Sequence, residues 1–297
     1  MQAMPAILRI LLDPALDGPT NMARDEALLE SVGRPGAPGP FTLRLYQWSP
    51  PTISLGYFQP YADYEALEPP ARELTVVRRP TGGGAILHDQ ELTYSLALPI
   101  DHPLLGSGPN RLYESAHDAV IAALAELNVE ARRGGVTDNS GPRRGPFFCF
   151  ARRHAFDVLL AGCHNRVAPD DPSEPPTPMG GDVRALKTCA GHPALAGGVL
   201  SSLGPVDGQK IAGSAQRRTR RAVLQHGSIV LAVRYPQQPA AVLPLPMDAA
   251  TFGARFAAAF TRLSCLESTA GVWSRSELHA ADRLVAKYAG DEWMRRA

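Results

Sequence analysis

Three segments of the chain carry residue types that can do covalent or electrostatic chemistry. The first is Pro146-Phe147-Phe148-Cys149-Phe150, followed at once by Arg152, Arg153 and His154. A free cysteine commonly packs as an inert small hydrophobe, but cationic neighbours convert it into a thiolate nucleophile. The second runs Arg78-Arg79-Pro80-Thr81-Gly82-Gly83-Gly84-Ala85-Ile86-Leu87-His88-Asp89. Consecutive glycines let a backbone approach a ligand and present amides to carbonyl or phosphate oxygens, and they also make ordinary turns. It is not a phosphate loop of the Gly-Lys-Ser/Thr type, since a strand-like run follows it. The third is Gly208-Gln209-Lys210-Ile211-Ala212-Gly213-Ser214-Ala215-Gln216-Arg217. There a single lysine is followed by small residues, so that it either polarises a carbonyl or steadies a thiolate, or is merely solvated.

The elements that must position these groups are mixed. Asn21 is expected to cap a helix over residues 22–32, stopped by Gly33. Alternating or β-branched runs predict strands at 41–48, 52–57, 74–77, 85–88 and 92–98, which leaves Gly82–Gly84 in a loop between strands. Apolar residues at helical spacing predict a helix over 109–127. Strands are expected again at 147–150, 156–161 and within 222–234. Helical patterns at 249–263 and 276–288 predict a small C-terminal helical appendage. Residues 163–208, rich in Pro, Gly, Asp and Ser, form an expected surface insertion. The fold class is therefore α+β, with residues 1–235 as a catalytic unit and 236–297 as the appendage. The insertion holds Cys163-His164 and Cys189-x-x-His192, a spacing that fits no standard zinc site, and no metal is expected.

The chain has 297 residues, 44% hydrophobic and 20% charged, which is ordinary for a globular protein. Thirty basic against 29 acidic residues leave a net charge of +1, so neither nucleic acid nor an anionic membrane is an expected partner. The apolar run at the N-terminus is interrupted by Arg9 and by Asp13-Pro14, too short for a signal segment, and no apolar stretch is long enough to span a bilayer. The expected location is cytoplasmic, where Cys149, Cys163, Cys189 and Cys265 stay reduced.

The motifs fall in an order that resembles the lipoate ligase and octanoyltransferase family, which belongs to the biotin/lipoate protein ligase superfamily. Asn21-Met22-Ala23-Arg24-Asp25-Glu26-Ala27 is similar to its first helix, and Leu43-Arg44-Leu45-Tyr46-Gln47-Trp48 and Ser54-Leu55-Gly56-Tyr57-Phe58-Gln59 to its early strands. The Arg79 to Asp89 loop, Glu91-Leu92-Thr93-Tyr94-Ser95, Lys210 to Gln216 and Gln225-His226-Gly227-Ser228 complete the pattern, from about residue 21 to 234. Cys149-Phe150 resembles the nucleophilic cysteine of one octanoyltransferase branch.

This resemblance implies mixed β-sheets flanked by helices and an octanoyltransferase that needs no cofactor. Cys149 would take octanoyl from octanoyl-acyl carrier protein as a thioester and pass it to a lysine of a lipoyl domain or glycine-cleavage H protein. Lys210 would stabilise the thiolate and the charge near the carbonyl. Substrate contacts are implied for Arg79, Thr81, Gly82, Gly83, Gly84, His88, Gly213, Ser214 and Ala215. Arg79 and His88 would orient the acyl head, and the amides of Gly82–Gly84 and Gly213–Ala215 would donate to it. His226 reads instead as a fold-supporting hydrogen-bonder. At about 0.8 kcal/mol per buried methylene, an apolar slot for the chain would contribute several kcal/mol, with Tyr46, Trp48 and Leu87 as candidate walls. The cluster Arg217, Arg218, Arg220 and Arg221 is either solvated surface or an attraction for an acidic acceptor. The alternatives are an ATP-dependent lipoate-protein ligase, in which Cys149 is incidental, and an amidotransferase moving octanoyl or lipoyl groups between carrier proteins.

Overall fold

A computed structural model describes residues 7–36, 38–106, 108–135, 145–161 and 208–296. The expected insertion, with the Cys163, His164, Cys189 and His192 set, falls outside these residues apart from Gly208. Strands β1 (Ile7–Leu16), β2 (Thr42–Trp48), β3 (Thr52–Leu55), β4 (Thr75–Arg78), β5 (Ile86–His88), β6 (Glu91–Pro99), β7 (Ala131–Arg133), β8 (Val158–Ala161), β9 (Gly208–Arg218), β10 (Ala222–Val230) and β11 (Glu267–Ala270) form two sheets. The larger has the order β11-β1-β2-β6-β10-β9-β8-β7, and the smaller the order β4-β3-β5. Helices are α1 (Gly18–Val32), α2 (Tyr61–Glu65), α3 (Arg111–Ala125), α4 (Ala249–Leu263), α5 (Arg275–Ala289) and α6 (Asp291–Arg295). Among the described residues no helix is long and apolar enough to cross a membrane.

Side chains alternate across a strand, and here both faces are covered. Leu43, Leu45, Leu96 and Leu98 face one way, into a core shared with Leu112, Ala116 and Val120 of α3 and Phe252, Phe256 and Phe260 of α4. Ala97 and Leu224 face the other way, against Leu28, Leu29 and Val32 of α1. The two predicted C-terminal helices form at nearly the expected bounds, and each lies on an earlier element. Helix α4 packs in the core just described, while α5 brings Ala280 and Ala281 against Ala27 of α1. After α5, the Met294 carbonyl accepts from Arg78 Nε at 2.9 Å and Nη2 at 2.7 Å.

Two local expectations are corrected, and one strand was not expected. Helix α1 begins four residues before the predicted start, capped by Asp17, whose side chain accepts from the Thr20 amide at 2.7 Å. Asn21 instead lies inside the helix, donating to the carbonyls of Leu16 and Gln47. The segment 147–150 is no strand. It makes one bridge, Phe148 with Ala85, and then turns into a single 3₁₀ turn at Cys149–Ala151, closed by the Arg152 amide on the Cys149 carbonyl at 3.0 Å. The N-terminal apolar run, too short for a signal segment, is β1, paired in parallel with both β2 and β11. Its interruption at Asp13-Pro14 is where the register with β2 shifts, the place where a strand tolerates proline.

Helix α1 is anchored to the sheet by charge as well as by apolar contact. Arg44 of β2 is wholly buried, 2.8 Å from Asp25 Oδ1 and 2.7 Å from Asp13 Oδ2, with a further bond to Asn21 Oδ1. Burial opposes the ionised form of Asp25, but the hydrogen bond with His226 and the charge of Arg44 outweigh it and hold the carboxyl below its ordinary value. Removing one partner of such a group strands a buried charge. Arg44→Met is therefore expected to lower unfolding stability by about 3–5 kcal/mol, read by urea titration, a loss well beyond that of an exposed arginine.

Candidate active site

The glycine loop and the Cys149 turn are built against each other. The Ala85 amide donates to the Phe147 carbonyl at 2.9 Å, and the Cys149 amide returns the bond to the Ala85 carbonyl at 2.7 Å. Gly84 makes this approach possible, since a Cβ there would lie 3.0 Å from the Phe147 oxygen and 3.1 Å from the Cys149 nitrogen. Arg79 holds the loop from below. Its Nη2 donates to the carbonyls of Gly82 and Gly84, each at 2.7 Å, and its Nη1 to the Ser54 carbonyl at 2.8 Å. Burial pushes the guanidinium down to about 10, while the nearby Cys149 sulfur opposes that shift.

The structure brings Cys149 and Lys210 together. Lys210 Nζ lies 3.4 Å from Cys149 Sγ and 3.3 Å from the Cys149 carbonyl oxygen. Its side chain is only 3% exposed, so its ammonium needs a fixed counter-charge, and Asp157 supplies one at 2.9 Å. Burial raises the Asp157 carboxyl against the pull of Lys210. Glycine at 213 leaves room for this lysine, because a Cβ would fall 2.5 Å from Lys210 Cε and displace it. Cys149 is half-buried rather than sealed among its phenylalanine neighbours. Phe147 and Phe148 pack beside Leu55 and Leu87, and Phe150 beside Ile86 and Val230.

Cys149 and Lys210 open on a cavity of about 350 Å³ that also takes in Gly82, Gly83, Gly84, Ser214 and Ala215. Thr81, His88 and Arg79 lie deeper, where the two sheets meet. His88 is bound on both nitrogens, to Ser54 Oγ at 2.7 Å and Glu91 Oε1 at 2.6 Å, and stacks on Trp48 at 3.9 Å. Thr81 Oγ1 meets His226 Nε2 at 2.5 Å, and His226 Nδ1 meets Asp25 at 3.1 Å. Both Nη atoms of Arg79 and both ring nitrogens of His88, expected to orient an acyl head, are thus engaged within the protein, whereas Arg79 Nε is buried without a hydrogen-bond partner. Between the sheets Tyr46, Trp48, Ile86 and His88 line a narrow cleft of about 20 Å³. Leu87 is not part of it. Alternation along β5 turns it away, into the cluster with Ile53, Leu55 and Tyr64.

Asp157 and His117 complete the site, and the sequence reading had singled out neither. Asp157 carried a legible signal as a lone carboxylate at the head of an apolar strand. His117 is buried on α3, and the sequence around it gives no signal beyond a polar residue on an apolar face. Arg217 donates to the Pro80 carbonyl at 3.2 Å, whereas Arg218, Arg220 and Arg221 stand exposed around the β9–β10 turn.

Fold and site together define a protein acylation domain of the lipoyl ligase type. Residues 17–247 match the family described as Lipoyl protein ligase A/B catalytic domain, and the chain belongs to that family. More particularly, it is similar to octanoyltransferase LipM of Moorella thermoacetica, with 34% identity covering 99% of this chain and 100% of the relative. It is likewise similar to octanoyltransferase LipM of Kyrpidia tusciae, at 32% identity over 92% of this chain and 93% of the relative. The fold is that of protein Ta0514 of T. acidophilum, solved with bound lipoic acid, at a TM-score of 0.65 and 18% identity over 99% and 100% of the two chains. A lipoate-protein ligase A solved with bound ATP superimposes at 0.62 and 18% identity, over 98% and 99%.

Burial pushes His117 down to about 4, helped by the positive charge of Lys210. Burial also lowers His226, against the attraction of Asp25. Both rings are stable in the fold as neutral groups, so their contribution is fully present above the unfolded value near 6.5. It is lost as pH falls toward the folded value. Unfolding free energy is expected to drop by about 3 kcal/mol or more between pH 7 and pH 4, and His117→Asn should remove most of the His117 share. Urea titrations of both proteins at the two pH values measure it.

Proposed function

We propose that this chain is an octanoyltransferase of protein lipoylation that works through a thioester on Cys149. The observation that carries the reading is the 3.4 Å approach of a buried lysine ammonium to the sulfur of half-buried Cys149 at the mouth of a cavity. The names carried by its LipM relatives support the acyl group, and the lipoic acid bound to Ta0514 supports a carboxylic acyl substrate for the fold.

In the first step the Cys149 sulfur attacks the thioester carbonyl of octanoyl-acyl carrier protein. A carbon–sulfur bond forms to Cys149, the bond to the carrier sulfur breaks, and the thiol proton leaves with the carrier. Lys210 stabilises the attacking thiolate, and Asp157 fixes the direction of Lys210. In the second step a lysine amine of a lipoyl domain or glycine-cleavage H protein attacks the acyl carbon. The carbon–nitrogen bond forms, Cys149 departs, and one N–H proton ends on its sulfur. Thioester to amide is downhill, so this step needs positioning rather than further activation. Amides of the Gly82–Gly84 loop and of Gly213–Ala215 face the developing oxyanion. The acyl tail enters the cleft lined by Tyr46 and Trp48, and at about 20 Å³ that cleft must widen to admit it. The exposed Arg218, Arg220 and Arg221 attract an acidic acceptor.

Purified protein mixed with octanoyl-acyl carrier protein, without nucleotide, is expected to gain one octanoyl group by intact mass, and then to transfer it to an added lipoyl domain. Cys149→Ala should abolish the adduct, and Lys210→Ala should slow its formation by about 100-fold or more. Acceptor modification only with lipoate and ATP, with no adduct on Cys149, would establish the ligase reading instead.

A further inference from the structure

Ser214 and His117 line the same cavity as Cys149 and Lys210, yet the two-step reaction above uses neither side chain. His117 Nε2 lies 2.7 Å from Ser214 Oγ, and His117 Nδ1 is hydrogen-bonded to the Phe156 carbonyl oxygen. A carbonyl oxygen can only accept, so Nδ1 carries the hydrogen. The ring is neutral near pH 7, since burial and the positive charges of Lys210 and Arg133 disfavour its charged form. Nε2 is then a bare lone pair, and the Ser214 hydroxyl must donate to it. The arrangement continues on the other side. Gln225 Nε2 donates to Tyr94 Oη at 3.2 Å, and the Tyr94 hydroxyl lies near Ser214. A hydroxyl oxygen has two lone pairs, so even with Tyr94 on one of them the other remains on half-buried Ser214, at the cavity wall.

Several of the surrounding polar side chains already have partners. Lys210 is a donor, Asp157 accepts from Lys210 and from the His154 amide, and Gln216 Oε1 accepts from Arg218. An amine entering this cavity meets cations and needs an acceptor for one of its N–H groups. We propose that Ser214 Oγ is that acceptor, with His117 as the positioning residue that fixes its hydroxyl hydrogen away from the cavity. The proposal rests on the Cys149 thioester reading and names the amine site for its second step. Ser214 takes no proton. It holds one N–H, which leaves the nitrogen lone pair facing the acyl carbon. The carbon–nitrogen bond then forms, the carbon–sulfur bond breaks, and a proton passes from nitrogen to Cys149.

The test separates the two half-reactions in single-turnover experiments. Octanoyl-acyl carrier protein is added first and the Cys149 adduct followed by intact mass. A lipoyl domain, or n-butylamine as a small amine, is then added and the loss of the adduct followed. Ser214→Ala and His117→Phe are expected to slow transfer to both amines by about tenfold, the worth of one ordinary hydrogen bond, and to change adduct formation far less. Ser214→Thr keeps the hydroxyl and should restore transfer, which a purely structural role for the position would not require. Equal slowing of both steps, or no slowing of transfer, would overturn the proposal. If the unsubstituted enzyme forms no adduct at all, it is the covalent reading that fails, and the amine site falls with it.

Discussion

The site is organised around a buried ammonium that cannot be left alone. Lys210 is almost wholly withdrawn from water, and an unpaired charge in such a place would cost more than the fold can spare. Asp157 and the Cys149 turn share its three hydrogens, and each brings a different part of the chain with it. Asp157 precedes β8, which pairs with β9 across a register shift between Val158 and Leu159. The Cys149 turn brings the glycine loop, because Ala85 is bonded to it in both directions. One cation thereby gathers three stretches of sequence at one mouth.

Behind that mouth a second polar system joins the two sheets. Glu91 of β6 accepts from Thr93, from Ser228 and from the His88 ring, and Trp48 Nε1 reaches Thr93 at 2.8 Å. His226 links the glycine loop, through Thr81, to Asp25 of α1 and so to Arg44 of β2. Fully satisfied networks of this kind specify one arrangement of a core, whereas apolar packing alone tolerates several. The loop that lines the cavity is thus held by its buried side, through Arg79 and Thr81.

The C-terminal helices extend this support. Arg9 of β1 is paired with Glu277 of α5 at 2.6 Å, and Glu277 also closes a capping box with Ser274. Arg78 carries the hold onward to Met294 while also binding the carbonyls of Gly56 and Gln59 beside the glycine loop. The smaller sheet, which bears that loop, is therefore fixed at its outer edge by the last helix of the chain.

Local chemistry was enough to read much of this from the sequence. Period-two runs marked β2 and β6, a short β-rich run marked β10, helical spacing marked α3, α4 and α5, and the order of the glycine loop, the cysteine and the lysine carried the family. These patterns are legible because alternation and helical pitch are properties of a few consecutive residues. What tertiary structure decided was the choice of partner. Cys149 and Lys210 are 61 positions apart, and only the fold makes them neighbours. Asp157, His117 and Ser214 meet because β8, α3 and β9 converge. Leu87 turns from the cleft through the pairing of β5, and the segment around Cys149 bends into a turn instead of a strand because its amides find Ala85 and then its own carbonyls. β1 became a strand only when β2 and β11 flanked it. A residue's type limits which bonds it can make, but which bond it makes depends on what the rest of the chain brings within about 3 Å.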